Sequence, residues 1–98
     1  MKLTGKQRSY LKRLANPLKA ITQIGKSGIT ENFISQLDDV LEIRELVKIN
    51  ILETSLLDTK EAANEVVRLT NSEFVQAIGN KFVIYRAAKE DPQIELPK

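Results

Sequence analysis

At 98 residues with 42% apolar content, the chain has material for one domain with a single core built mostly from Leu, Ile and Val, because it holds three Phe, two Tyr and no Trp. It contains neither Cys nor His, which removes disulfides, thiol nucleophiles, the usual zinc ligands and the Ser-His and Cys-His pairs of nucleophilic enzymes. The formal net charge of +2 hides a division: the first 30 residues carry seven Lys/Arg and no carboxylate, whereas the remaining 68 carry eight Lys/Arg against thirteen Asp/Glu.

The first predicted helix opens at Thr4, a suitable N-cap, and ends at Asn16-Pro17. Leu3, Tyr10, Leu11 and Leu14 share one side of it, and Lys2, Lys6, Arg8, Lys12 and Arg13 spread over the opposite arc. Ala20 to Ile24 is short and rich in β-branched residues, so it reads as a strand running into the loop Gly25-Lys26-Ser27-Gly28. Thr30 then caps a second helix with Phe33, Ile34, Leu37, Val40 and Leu41 inward. From Leu46 to Leu52 the pattern alternates, with Val47, Ile49 and Ile51 on one face and Lys48 and Asn50 on the other. A third helix starts at Asp58 or Thr59 and buries Ala62, Ala63, Val66, Val67 and Leu69. Two strands, Glu73 to Ile78 and Lys81 to Arg86, flank Gly79-Asn80 in a primed hairpin turn, and the tail over 87–98 crosses the surface.

The order helix, strand, helix, strand, helix, strand, strand predicts an α+β fold: a small mixed four-stranded sheet in a two-layer arrangement with helices packed on it. Strands separated by helices are expected to run parallel, and the last pair must be antiparallel. The run Ala20 to Ser27 satisfies a relaxed nucleotide phosphate-loop pattern. That reading fails because the true pattern has Gly where Ala20 stands, and Ile21-Thr22-Gln23-Ile24 are strand-like residues unsuited to curling around a phosphate.

Gly25 to Gly28 suits a backbone clamp instead. Two glycines permit close approach of a phosphodiester and positive φ, Lys26 adds a cation, Ser27 a hydroxyl, and a helix N-terminus lies behind them. KH domains use a GXXG loop in the same way, but there it joins two helices. Seven cations without local carboxylates favour a polyanionic partner; the second reading is a protein-interaction module whose basic helix docks on an acidic partner. Asp38, Asp39, Glu42 and Glu45 read as an acidic solvent face rather than a cation site, since successive helical positions point apart. Phe82 and Tyr85 fall on opposite faces of the last strand, so one of them could be exposed for stacking. No nucleophile–base pair is present, so the expectation is no enzyme, no cofactor, no metal and no small-molecule substrate. The longest apolar run, Phe82 to Tyr85, is too short for a membrane span or a signal h-region. A cytoplasmic monomer is expected.

Several ordered blocks give the chain a family resemblance. Leu3-Thr4-x-Lys6-Gln7-Arg8, Leu14-Ala15-x-Pro17-Leu18-Lys19, Ile24 to Thr30, Glu45 to Ile49 and Ile78 to Arg86 resemble the bacterial CRM-domain proteins of the YhbY type over nearly the whole length. The resemblance implies a single RNA-binding domain over 1–98, similar in fold to the C-terminal domain of translation initiation factor three, acting on ribosomal RNA in precursors of the large ribosomal subunit. It implies RNA contact at Gly25, Lys26, Ser27 and Gly28, with Lys6, Arg8, Lys12, Arg13, Lys19 and Lys48 as the adjoining basic surface.

Overall fold

A computed structural model describes residues 2–98. Helix α1 spans Gly5–Ala15 and begins with a reciprocal cap: Gln7 N–H donates to Thr4 Oγ1 at 3.1 Å, and Thr4 N–H donates to Gln7 Oε1 at 3.0 Å. Strand β1, Thr22–Ile24, is shorter than its sequence pattern, because Ala20 and Ile21 lie before it. Thr30 caps α2, Glu31–Arg44, by accepting from Phe33 N–H at 3.0 Å. Strand β2 is Leu46–Ile51, and Asp58 caps α3, Thr59–Thr70, accepting from Glu61 N–H at 3.1 Å. Strands β3, Glu73–Ile78, and β4, Lys81–Tyr85, close the fold. In their turn Gly79 alone takes a positive φ, 59°, the pattern of a type II′ hairpin.

The sheet order is β1-β2-β4-β3, with β1 parallel to β2 and the other two pairings antiparallel. The expected parallel neighbours are therefore realised once. β2 and β3 do run the same way across α3, but β4 has inserted between them.

One sheet face buries Ile24, Val47, Ile49, Ile51, Phe82 and Ile84 against α2 and α3. The stripe on α3 advances in steps of four through Ala62, Val66 and Thr70, which leaves Leu69 exposed at its margin instead of buried as expected. Thr70 is buried because its hydroxyl donates to Val66 O at 2.7 Å and shares a hydrogen bond with Ser72. The opposite sheet face buries Leu46, Val75, Val83 and Tyr85 against Leu3, Leu11 and Ala15, with Ile94 and Leu96 of the tail packed beside them. The β-bulge between Phe74 and Gln76 falls at Val75, a residue of this second core. Helix α1 and the tail thus cover one end of this face and leave the other end open.

The acidic residues of α2 are not the solvent face expected of them. Asp38 pairs with Arg86 at 2.7 Å, and Arg86 also donates to the carbonyls of Thr70 and Asp38. Glu42 accepts the N–H groups of Lys89 and Glu90, which hold its carboxyl below the ordinary value of 4.5. Glu45, at the C-cap of α2 with φ 65°, is only 1% exposed. Burial pushes its carboxyl up, but hydrogen bonds from the N–H groups of Ala88, Ile94 and Gln93, at 2.8–2.9 Å, outweigh that and hold it low. These carboxylates hold the tail on the domain, and at the tail's far end Gln7 Nε2 donates to Pro97 O at 3.0 Å. Asp39 alone of the four remains a plain exposed acid.

Candidate functional site

The loop after β1 is a four-residue turn in which Gly28 N–H donates to Gly25 O at 3.0 Å. Its glycines do different work. Gly28 has φ +74°, a conformation that L residues rarely adopt, whereas Gly25 has ordinary backbone, and a Cβ there would meet only Leu52 Cδ1 at 3.6 Å. Gly28→Ala is therefore expected to destabilise the domain by about 1 kcal/mol, read as a lower midpoint in a thermal or urea melt. Gly25→Ala should melt close to the wild type. Lys26 and Ser27 are exposed at the tip, and the bond from Leu52 N–H to Ile24 O, 2.9 Å, ties the base of the loop to the end of β2.

Beside the loop lies the open half of the second sheet face. Register aligns Gln23 with Asn50, Asn50 with Lys81 and Lys81 with Ile78 across all four strands, with Lys48, Val83 and Gln76 in the next row. Three contiguous hollows cover this surface. One is lined by Ala20, Ile21, Thr22, Gln23, Asn50 and Lys81. The second, bounded by Asn16 at the end of α1, shares Lys81 with the first, and the third shares Ile21 with the first and Lys48 with the second and adds Lys19 and Arg44. Four cations, Lys19, Arg44, Lys48 and Lys81, line these hollows together, and no Asp or Glu does. A surface lined by one sign of charge concentrates counter-ions of the other sign.

The structure sorts the residues expected from sequence. Gly25, Lys26, Ser27 and Gly28 follow β1, whose Thr22 and Gln23 line the first hollow, but none of the four lines a hollow itself; Lys19 and Lys48 line the face, and Lys12 and Arg13 occupy the last turn of α1, which reaches it through Asn16. Arg13 lies over the Tyr10 ring at 5.9 Å from its centroid. Lys6 is in the opposite turn of α1, about 15 Å along the helix from Asn16 at the standard rise per residue. Arg8 is turned toward β3, where its Nε donates to Phe74 O at 3.4 Å. The helix therefore does not present its cations to the loop as one face.

Sequence reasoning missed Arg44 and Lys81. Lys81 opens the strand after the Gly79-Asn80 turn, but its alignment with Asn50 depends on β4 lying next to β2. Phe82 and Tyr85 do point to opposite faces, yet they are 0% and 3% exposed, so neither can stack on a base. No aromatic residue lines the three hollows.

Residues 3–86 match the family model described as the CRS1 / YhbY (CRM) domain. The chain is 43% identical over 95 residues to the Bacillus subtilis protein named Probable RNA-binding protein YqeI, covering 97% of this chain and 99% of that one. It is 32% identical over 96 residues to a Haemophilus influenzae protein named RNA-binding protein, covering 98% and 96% of the two chains. The solution structure of the hypothetical protein SAV1595 from Staphylococcus aureus matches with a TM-score of 0.81 and 53% identity, over 97% of this chain and 99% of that one.

Proposed function

This chain belongs to the CRS1/YhbY (CRM) domain family, and we propose that it is an RNA-binding protein that acts in maturation of the large ribosomal subunit, by binding rather than by catalysis. The observation that carries the RNA reading is the surface lined by Lys19, Arg44, Lys48 and Lys81 without one carboxylate, with the Gly25–Gly28 turn following the strand whose Thr22 and Gln23 line it. Ammonium and guanidinium groups neutralise phosphates, and the glycine turn lets a phosphodiester approach the main chain closely. Relatives that match along nearly their whole length carry RNA-binding names, which supports RNA over an acidic protein as the polyanion. The blocks shared with YhbY-type proteins support the ribosomal assignment.

Backbone contacts of this kind make affinity salt-dependent. If four to six phosphates are neutralised, the log-log slope of affinity against salt should be about −3 to −5 on a structured fragment of large-subunit ribosomal RNA. A flat response would contradict electrostatic binding. The ribosomal assignment has its own test, co-sedimentation with large-subunit precursors. Association should disappear after ribonuclease treatment, and persistence would indicate docking on a protein.

A further inference from the structure

The row beside the loop has a composition that phosphate binding does not require. Gln23 and Asn50 are neighbours on β1 and β2, and Lys81 follows Asn50 on β4. A phosphate needs cations and N–H donors, whereas a carboxamide offers a donor and an acceptor side by side, the pattern complementary to the edge of a nucleobase. Asn50 Oδ1 is shut off from solvent and takes no hydrogen bond within the protein. An acceptor left that way costs stability unless a partner reaches it, and Asn50 lines the first hollow.

Apolar side chains border the row on both sides: Ile21 is 46% exposed and Ile78, aligned with Lys81, is 67% exposed. They offer surface to the flat face of a base where no aromatic residue is available. The hollow holding Gln23 and Asn50, about 510 Å³, has the capacity of a small-ligand site. Gln23 precedes Gly25 by two residues, roughly 7 Å of extended chain, so a backbone held at the glycine turn places the attached base over this row.

From this juxtaposition, and resting on the RNA-binding reading above, we infer that the Gln23–Asn50–Lys81 row is a base-reading subsite that takes one unpaired nucleotide and recognises its hydrogen-bonding edge. The protein then prefers RNA with a single-stranded nucleotide next to a backbone that the loop can hold, and it discriminates among bases.

The test uses the full chain with unstructured oligoadenylate, oligocytidylate and oligouridylate of equal length, and a blunt RNA duplex. The wild type should bind its preferred strand about tenfold more tightly than its least preferred, the discrimination expected of a good bidentate amide contact. Asn50→Leu should bring all three strands to within about twofold of one another, near the level of the least preferred. Gln23→Leu, at an exposed position where misfolding is not at issue, should compress the preference in the same direction. Equal wild-type affinity for the three strands, or an unchanged ranking in both variants, would overturn the subsite while duplex binding keeps the RNA-binding reading standing. Failure to bind any of these RNAs, with a structured fragment of large-subunit ribosomal RNA also left unbound, would sink both.

Discussion

Glu45→Gln is expected to lower the unfolding free energy by about 3 kcal/mol, a drop of roughly 12–24 °C in Tm for a domain of this size. The buried carboxylate accepts three backbone N–H groups from the tail, Ala88 at 2.9 Å through one oxygen and Gln93 and Ile94 at 2.8 and 2.9 Å through the other. An amide keeps the shape but replaces one acceptor oxygen with NH₂, which faces donors as a donor and leaves buried N–H groups unpaired. The loss propagates because the tail supplies Ile94 and Leu96 to the second core. Acid should act at the same place. The folded-state carboxyl titrates below its ordinary value of 4.5, so its contribution is fully present above that value and is lost as pH falls through the lower folded one. Glu42, held low by the N–H groups of Lys89 and Glu90, shifts in the same direction. Urea melts from neutral to acidic pH should show wild-type stability falling in that window, and Glu45→Gln should be weak already at neutral pH with a flatter acid response. A variant as stable as the wild type at neutral pH would mean that the tail is not held by this carboxylate.

The second large effect concerns binding. Lys48→Glu combined with Lys81→Glu should weaken affinity for structured RNA about a hundredfold at physiological salt and flatten the salt slope by about two, one for each phosphate contact removed. Both residues line the open sheet face, and they meet in the hollow bounded by Asn16. A control with the same change in net charge, Lys60→Glu with Lys89→Glu, alters exposed positions on α3 and the tail. Only a few-fold loss is expected there, from the weaker long-range field. Equal losses from the two pairs would show that bulk charge governs binding.

The helices were legible because Thr4, Thr30 and Asp58 each cap a helix immediately before an apolar stripe of helical period. Local cues of this kind need no knowledge of neighbours. Strand order was not legible, since inserting β4 between β2 and β3 satisfies the same apolar alternation as a parallel pairing would. Arg44 and Lys81 escaped for that reason: they join the face only when elements far apart in sequence come together. Glu45 was misread as solvated because its first donor, the Ala88 N–H, lies 43 residues downstream. In the loop, the pattern Gly25-Lys26-Ser27-Gly28 showed where a tight turn would fall, but only backbone geometry assigns the positive φ to Gly28 and leaves Gly25 ordinary.

If the open half of the second sheet face and the glycine turn that follows β1 meet RNA, NMR titration of the protein with a structured large-subunit ribosomal RNA fragment should show it in the backbone amide chemical shifts. The perturbed amides should cluster at Asn16 to Ile21, Thr22 to Gly28, Lys48 to Asn50 and Ile78 to Lys81. Perturbations confined to the start of α1 around Lys6, or to the hollow between α2 and α3 lined by Ile34, Asp38 and Leu69, would contradict that placement.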